Sequence, residues 1–248
     1  MSGHSKWSTI KRKKGAADAK RSKIFSRISK EITVAVKEGG SNDPESNPRL
    51  RSAVLNARGA NMPKDVIQRA ISKGEGAGEN YEELIFEGTG PEGVAVFVEC
   101  LTDNHLRTVS SIRSIFTKKG GTLGKNGSLA FLFVRKGVFT VPKERIKIDD
   151  IELELIDAGL EDLYTGDEYF TFYTALEDFG KMQKKLDSMK IMVENAELQR
   201  IPNSRKTVDL STAHKVLRLI EMLEDDDDVQ NVYHDLEMTE ELEKSLET

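Results

Sequence analysis

The first 75 residues carry apolar side chains at intervals of three and four, which is the period of amphipathic helices. This pattern predicts a first helix within residues 16–40, where Gly39-Gly40 supplies a stop. Asn47-Pro48 is suited to start a second helix, and a third begins after Pro63 and closes at Gly74. The predicted inward positions are Ile24, Phe25, Ile28, Ile32, Val36, Leu50, Val54, Ala57, Val66, Ile67, Ala70 and Ile71. Together they predict a small helical bundle, followed by the linker GEGAGEN.

Beyond residue 80 the pattern alternates between the two-residue period of strands and the helical period. LIFEGTGPEGVAVFVEC predicts two strands around a turn, and SLAFLFVRK and VQNVYHDLEM predict two more. STAHKVLRLIEML predicts a helix capped by Ser211. HLRTVSSIRSIFTKKGG predicts another helix, whose apolar face consists of Leu106, Val109, Ile112 and Phe116. These elements form one sheet-and-helix module.

Residues 137–207 interrupt this module with elements of their own. GVFTVP, EYFTFYTA and IMVENAELQRIP predict strands, and DDIELELIDAG and FGKMQKKLDSMK predict helices. The predicted fold class is therefore multidomain, α and α+β: an N-terminal helical bundle plus two α+β sheet-and-helix domains, the third inserted in the second. The expected boundaries are 1–75 for a basic helical domain, 76–136 with 208–248 for an α+β domain, and 137–207 for the inserted α+β domain.

Charge divides the chain at the same place. The 248 residues carry a formal net charge of -5, yet residues 1–75 hold 17 Lys/Arg against 7 Asp/Glu, and residues 76–248 hold 20 against 35. Ten of the basic residues fall in the first thirty positions, where Asp18 is the single acid. Repulsion among these groups favours an anionic partner, so the helical domain is predicted to bind a polyanion that the other domains would repel.

The basic N-terminal segment supplies the candidate nucleic-acid contacts. They occupy an unpatterned tail and the polar side of the first helix, and they are Lys6, Lys11, Arg12, Lys13, Lys14, Lys20, Arg21, Lys23 and Arg27. Trp7 lies among them, and its ring either packs on the bundle or stacks on an exposed base, as aromatic side chains do in RNA recognition. The glycine-rich stretch GGTLGKNGS offers a candidate secondary contact through Lys118, Lys119 and Lys125.

No motif for catalysis or cofactor binding is complete. Gly88–Gly93 matches GxGxxG, but a strand follows it instead of a helix that would bind pyrophosphate, which predicts a hairpin turn. GGTLGKNGS is one residue short of the P-loop spacing, and Asn126 stands where Ser or Thr would bind magnesium. The four histidines lack metal-ligand spacing, and Glu224–Asp228 lacks the spaced ligands of a calcium loop, which predicts a solvated turn. The sequence thus predicts no enzyme, cofactor, metal ion or small-molecule substrate.

The expected location is the cytoplasm. Cys100 is the single cysteine, which fits a reducing compartment, and it ends an apolar strand pattern that predicts burial. No apolar run reaches the roughly 18 residues of a membrane span, and the basic N-terminus has no apolar region behind it as a secretory signal does. A mitochondrial presequence is a rival interpretation of this segment, but the segment continues directly into a patterned helix.

Several segments resemble the YebC/PmpR family. They are MSGHSKW, DAKRSKIF, NPRLRSAV, ANMPKDVIQRAISKG and FEGTGPEGVAVFVECLTDN, and the order of domains agrees along the chain, although residues 137–207 resemble the family less sharply. His4, Ser5, Lys6 and Trp7 match the family's opening motif, which adds His4 and Ser5 to the candidate contacts. The resemblance implies a helical N-terminal domain, two α+β domains with the third inserted in the second, and no enzymatic activity.

The resemblance leaves two functions open. The family is widely labelled as transcriptional regulators that bind DNA, while other members act as translation factors that associate with the ribosome and ease synthesis of difficult sequences such as proline runs. A DNA reader needs an element that enters a groove and side chains that reach base edges. A basic tail with a tryptophan is better suited to folded RNA with unpaired bases. Ribosomal RNA and the ribosome are therefore the favoured partners, with DNA as the alternative.

Overall fold

The computed structural model describes residues 17–76 and 80–247 as eight α-helices and eight strands. The helices are α1 (Ala17–Gly39), α2 (Pro48–Gly59), α3 (Lys64–Glu75), α4 (His105–Lys118), α5 (Glu152–Asp157), α6 (Phe179–Ser188), α7 (Leu210–Asp225) and α8 (Glu240–Glu247). The strands are β1 (Glu82–Thr89), β2 (Ala95–Thr102), β3 (Thr122–Leu123), β4 (Phe133–Pro142), β5 (Leu160–Thr165), β6 (Tyr169–Ala175), β7 (Asn195–Pro202) and β8 (Val229–His234).

These elements form two compact units, each assembled from separated stretches of chain. Among the described residues, one unit contains 17–23, 80–134 and 201–247, and the other contains 24–76 and 135–200. Each unit holds one four-stranded sheet. The predicted fold class, helical at the N-terminus and α+β beyond it, is confirmed.

The three N-terminal helices pack around the predicted apolar stripe, with two corrections. Ile24 is exposed, because the buried stripe passes through Phe25, one helical position away. Gly74 does not end α3 but lies buried within it, where a Cβ would stand 2.7 Å from the Val36 Cβ atom. Asn47 caps α2 by accepting from the Leu50 N–H at 3.1 Å, and its amide donates to the Ala35 carbonyl at 2.7 Å. One buried side chain therefore fixes both the start of α2 and its position against α1.

The first sheet has the strand order β3-β1-β2-β8, and its pairs are antiparallel. Helices α4 and α7 pack on one face, where Phe86, Ile112 and Phe116 share a buried cluster with side chains of α7. The predicted inward position Leu106 is wrong, because it lies in the first turn of α4 and is largely exposed. The predicted cap Ser211 is also wrong: Asp209 caps α7 by accepting from the Thr212 N–H at 3.0 Å.

The segment SLAFLFVRK differs from its predicted form. Ala130–Leu132 is a 3-10 turn, and the strand β4 begins only at Phe133 and continues through GVFTVP. The two predicted strands are therefore one, and β4 belongs to the second sheet, while the short β3 occupies the edge of the first. Leu129 and Leu132 pack on the other face of the first sheet, against a cluster that contains Phe97 and Tyr233.

The second sheet has the order β5-β6-β4-β7 and packs against α5 and α6. The sequence pattern does not predict strand β5. Its six residues, LEDLYT, include two acids and few apolar side chains, and such a composition is a weak signal for a strand. Leu55 of α2 packs on the core of this module. The Asn56 amide donates to the Ala196 carbonyl at 3.0 Å, and its oxygen accepts from the Ala196 N–H at 2.7 Å. The helical bundle thus packs directly on the module of residues 135–200.

Candidate nucleic-acid interface

The start of α1 carries the predicted contacts that the structure describes. Arg21 is exposed, and Lys23 and Arg27 are partly buried along the same helix. The remaining predicted contacts lie outside the described residues, as does the side chain of Lys20; they are His4, Ser5, Lys6, Trp7, Lys11, Arg12, Lys13 and Lys14. The described helix therefore presents the C-terminal end of the basic segment.

Lys23 has an internal anionic partner. Its ammonium group donates to the Asp225 carbonyl and lies 3.3 Å from the Asp225 Oδ1 atom. The two side chains keep 26% and 75% of their surface exposed, so water screens the pair and it contributes only about 0–1 kcal/mol. The ion pair itself therefore contributes little to holding the Lys23 side chain in place.

Other basic residues of the bundle are committed to its internal structure. Arg49 donates from Nε to the Glu31 carboxylate at 2.7 Å and also binds Glu38. Arg51 donates to the Pro44 carbonyl at 3.0 Å. These groups hold the helices and the α1–α2 turn together.

The glycine-rich loop is built on the edge of the first sheet. The short strand β3 pairs Thr122 with Thr89, and Gly124 donates its N–H to the Glu87 carbonyl at 2.7 Å. The buried Glu87 carboxylate then accepts from the Gly127 N–H at 2.7 Å and from the Leu129 N–H. The loop is thus folded around a buried carboxylate. The candidate secondary contacts flank β3, with Lys118 and Lys125 exposed and Lys119 partly exposed.

Both near-miss phosphate motifs have a structural explanation. The Gly124 amide of the P-loop-like stretch donates to the Glu87 carbonyl, and the Gly127 and Leu129 amides that follow it are bound to the Glu87 carboxylate, so a phosphate there would meet the negative charge of Glu87. The GxGxxG segment joins β1 to β2 through the 3-10 turn Pro91–Gly93, which confirms the predicted hairpin. Glu92 and Gly93 in this turn have positive φ values.

The acidic run at the end of α7 is only partly the predicted solvated turn. Asp228 is buried and accepts from the Arg107 guanidinium at 2.8 Å and from the Thr108 hydroxyl at 2.8 Å. Hydrogen bonds to Asp228, followed by those to Asp103, raise the pKa of Arg107. Asp228 therefore ties α4 to the turn before β8.

Within the described residues, no group of three or more His, Cys, Asp or Glu side chains could hold a metal ion.

Comparison with protein families accounts for nearly the whole chain. Residues 5–77 match the model of the TACO1/YebC protein N-terminal domain, and residues 81–236 match that of the TACO1/YebC second and third domain. The chain belongs to the TACO1/YebC family. The YebC resemblance of its sequence motifs is thereby confirmed.

Similar proteins of the TACO1/YebC family come from several bacteria. A protein of Chlorobaculum parvum is 48% identical over 250 residues, covering 100% of this chain and 99% of its own. One of Treponema denticola is 50% identical over 242 residues, covering 97% and 98%. Both are named probable transcriptional regulatory protein. The crystal structure of a conserved hypothetical protein from Aquifex aeolicus is similar with a TM-score of 0.82 and 42% identity, covering 90% of this chain and 93% of that one.

The total charge of each predicted domain conceals one basic stretch of this TACO1/YebC chain. Residues 104–134 contain five Lys/Arg and no Asp/Glu, inside a C-terminal part that is acidic as a whole. They span α4, β3 and the glycine-rich loop. A sliding count of acids would have found this stretch, whereas a total over residues 76–248 conceals it.

Among the described residues, no helix is long and apolar enough to cross a membrane.

Proposed function

We propose that this protein is a non-enzymatic, nucleic-acid-binding regulator of gene expression that acts in the cytoplasm as a translation factor. In this proposal it associates with the ribosome, binds ribosomal RNA through its N-terminal basic segment, and eases synthesis of difficult sequences such as proline runs. It uses no cofactor and no small-molecule substrate. The observation that carries the proposal is the charge division, with 17 Lys/Arg against 7 Asp/Glu in residues 1–75 of an otherwise acidic chain.

The described part of the bundle supports a role in phosphate binding for the start of α1. Arg49 and Arg51 are engaged inside the bundle, Arg21 lies exposed on α1, and water screens the ion pair of Lys23 with Asp225. Cationic side chains next to a lysine-rich segment attract a polyanion without requiring a fixed groove. The N-terminal contacts proposed for RNA are His4, Ser5, Lys6, Trp7, Lys11, Arg12, Lys13, Lys14, Lys20, Arg21, Lys23 and Arg27.

Binding to DNA as a transcriptional regulator is the second candidate function. The names of the similar bacterial proteins favour it. Arg49 and Arg51 at the start of α2 are engaged inside the bundle, whereas a recognition helix needs the side chains near its N-terminus for base edges. This argument speaks against α2 as a DNA-reading helix.

A charge-removal variant tests the proposal. Changing Lys11, Arg12, Lys13 and Lys14 together to alanine should weaken binding to ribosomes and to single-stranded RNA. With roughly five to eight phosphate contacts in the parent, log K should fall against log salt with a slope of about -3.5 to -6, and the variant should reduce the magnitude of that slope by up to about 3. Fluorescence anisotropy across a salt series measures the slope, and sedimentation through sucrose measures ribosome association.

The matched control removes the same number of charges from exposed positions outside the N-terminal segment, namely Lys181, Lys184, Lys215 and Arg218. It should bind as the parent does. The translation proposal fails if the N-terminal variant binds RNA and ribosomes normally but loses affinity for a particular DNA duplex. The transcriptional function would then replace it.

Trp7 requires a separate variant, because its ring either stacks on a base or packs on the bundle. If the ring stacks, Trp7→Ala should cost about 1–3 kcal/mol of RNA-binding free energy and leave the salt slope nearly unchanged. Trp7→Phe should restore most of that loss. A Trp7→Ala variant that binds RNA normally but melts at a lower temperature would instead place the ring in the bundle.

A further inference from the structure

We infer that the glycine-rich loop and its flanking residues form a second site for single-stranded RNA, in which Lys118, Lys119 and Lys125 contact phosphates and Phe131 stacks on a base. This inference rests on the proposed function, because it assigns another contact of the same class of ligand. It adds two residues outside the N-terminal basic segment: the aromatic Phe131 and Glu87, which positions the loop.

The first support is electrostatic. Residues 104–134 carry five basic side chains without an acid, and three of them lie at the two ends of β3 on the edge of the first sheet. In the part of the chain that the structure describes, no carboxylate forms an ion pair with Lys118, Lys119 or Lys125. Three exposed or partly exposed cations beside one sheet edge create a local positive potential in an acidic unit.

The second support is an exposed aromatic ring on a fixed backbone. Phe131 keeps 73% of its surface exposed, while its neighbour Leu132 packs inward on the sheet. The Asn203 side-chain amide donates to the Phe131 carbonyl at 2.9 Å, and the Asn203 N–H donates to the Leu132 carbonyl at 2.8 Å. The ring is therefore presented by a backbone that is already ordered, which lowers the entropic cost of stacking.

The third support is the way in which the loop is held. Glu87 binds the Gly127 and Leu129 amides with its carboxylate and the Gly124 amide with its carbonyl. The Ser128 N–H also donates to the Lys125 carbonyl at 3.1 Å, which closes the turn that carries Lys125. Glu87 thus acts as a positioning residue: it fixes the segment between Lys125 and Phe131 without facing the ligand.

These features select single-stranded nucleic acid over duplexes and proteins, and the proposed function makes that strand RNA. Positive side chains and an exposed aromatic ring on one loop are a combination that holds a backbone and stacks unpaired bases. A base pair inside a duplex keeps its faces stacked and offers no surface for the ring. An acidic protein surface would use the lysines but would gain nothing specific from an aromatic ring in place of an aliphatic one.

The test uses the full-length chain and a fluorescein-labelled, mixed-sequence single-stranded RNA of about 12 nucleotides. The triple change Lys118→Ala, Lys119→Ala and Lys125→Ala should reduce the magnitude of the salt slope by about 2. Phe131→Ala should weaken binding about 5- to 100-fold with the slope unchanged. Phe131→Tyr should bind as the parent does, whereas Phe131→Leu should bind as weakly as Phe131→Ala.

Matched controls remove similar groups elsewhere. The triple alanine variant of the exposed Lys181, Lys184 and Lys215 controls for charge, and Leu106→Ala controls for loss of an exposed apolar side chain. Both should bind as the parent does. As an independent measurement, an RNA containing 5-iodouridine should photocrosslink to the peptide that contains Phe131.

Positioning by Glu87 has its own measurement. In Glu87→Gln, one acceptor oxygen is replaced by an NH2 group that faces an amide donor, so hydrogen exchange at Gly127 and Leu129 should accelerate and RNA affinity should fall several-fold. Glu82→Gln, an exposed change on the same strand, should alter neither. Unchanged exchange in Glu87→Gln would remove the positioning role.

The outcomes separate this inference from the proposed function. If the N-terminal quadruple variant loses RNA affinity but the loop variants match their controls, the second site is disproved and the proposed function stands. If the parent binds neither RNA nor ribosomes, both fall. The inference is also wrong if Phe131→Leu binds as tightly as the parent, or if the loop variants weaken only duplex DNA or protein binding.

Discussion

Asp235 is a carboxylate in a nearly buried position at the end of β8. The Asp235 carboxylate accepts a hydrogen bond from the Ala95 N–H at 2.8 Å. The backbone carbonyl of Asp235 accepts another from the Lys206 N–H at 2.7 Å. Burial raises the pKa of Asp235, and the hydrogen bond from Ala95 and the charge of Lys206 only partly oppose this effect. The folded state therefore binds this proton more tightly than the unfolded state does.

This shift predicts a pH-dependent difference between the parent and Asp235→Asn. Because the folded pKa is raised, the contribution of Asp235 to stability is present at low pH and is lost as pH rises through the range above about 3.9, the ordinary aspartate value. Asparagine keeps an acceptor for Ala95 but does not titrate. The free energy of unfolding of Asp235→Asn minus that of the parent should increase as pH rises from about 3.5 to 7.

Urea unfolding at a series of pH values measures this difference. Asp227→Asn, in the exposed turn before β8, is the control for removal of one negative charge. A difference that is constant with pH, or that falls as pH rises, would contradict the raised pKa.

At the scale of single elements, the packing of α2 against β7 involves the Asn56 side chain and the close approach of Gly59. Asn56 satisfies both the N–H and the carbonyl of Ala196, and a Cβ on Gly59 would stand 1.8 Å from the Glu194 carbonyl oxygen. The helix thus approaches the strand at backbone distance, which only glycine permits at position 59. This contact is invisible to hydrophobic periodicity, because neither Asn56 nor Gly59 is part of an apolar stripe.

The contact predicts a local loss of stability in Asn56→Ala. Two partly buried backbone groups of Ala196 would lose their partner, and an unsatisfied buried group costs about 1–3 kcal/mol. Hydrogen exchange of the Ala196 amide should accelerate accordingly, and the unfolding midpoint of this unit should fall. Asn42→Ala, an exposed change in the α1–α2 turn, should leave both measurements unchanged. Equal protection of Ala196 in the two variants would show that the amide contact contributes no stability.

Sequence patterns predicted most elements but not how their ends are fixed. The stripes of α1, α2 and α7 follow directly from the helical period, since their buried residues are apolar. Leu106 is misassigned because periodicity cannot tell a buried position from an exposed one in the first turn of the helix. The junction at Gly137 was misread as a strand boundary, although Gly137 pairs with Thr174 inside β4. A glycine in a strand weakens the pattern without ending the strand.

The candidate interface was predictable only where charge is concentrated in sequence. The N-terminal cluster is contiguous, so a count finds it. Phe131 carried no such signal, because its exposure depends on the 3-10 turn that replaces the predicted strand and turns Leu132 inward. Glu87 was equally hidden, since a buried carboxylate is identified by the amides that surround it and not by its neighbours in sequence.

At the scale of the whole molecule, compact units and sequence domains divide the chain differently. The sequence domains, 1–75, 76–136 with 208–248, and 137–207, remain a prediction about how the chain is organised. The compact units place residues 24–76 with 135–200, and Leu55 of α2 packs on the core of residues 135–200. Removing the helical segment would therefore expose apolar surface on residues 135–200.

The pairing of Asn56 with Ala196 joins positions 140 residues apart. At synthesis rates of roughly 5–20 residues per second, β7 follows α2 out of the ribosome after about 7–28 s. During that interval the nascent chain carries the Leu55 face of α2 without the strand that covers it. A pause in elongation before residue 196 would lengthen the interval in which this apolar face meets water.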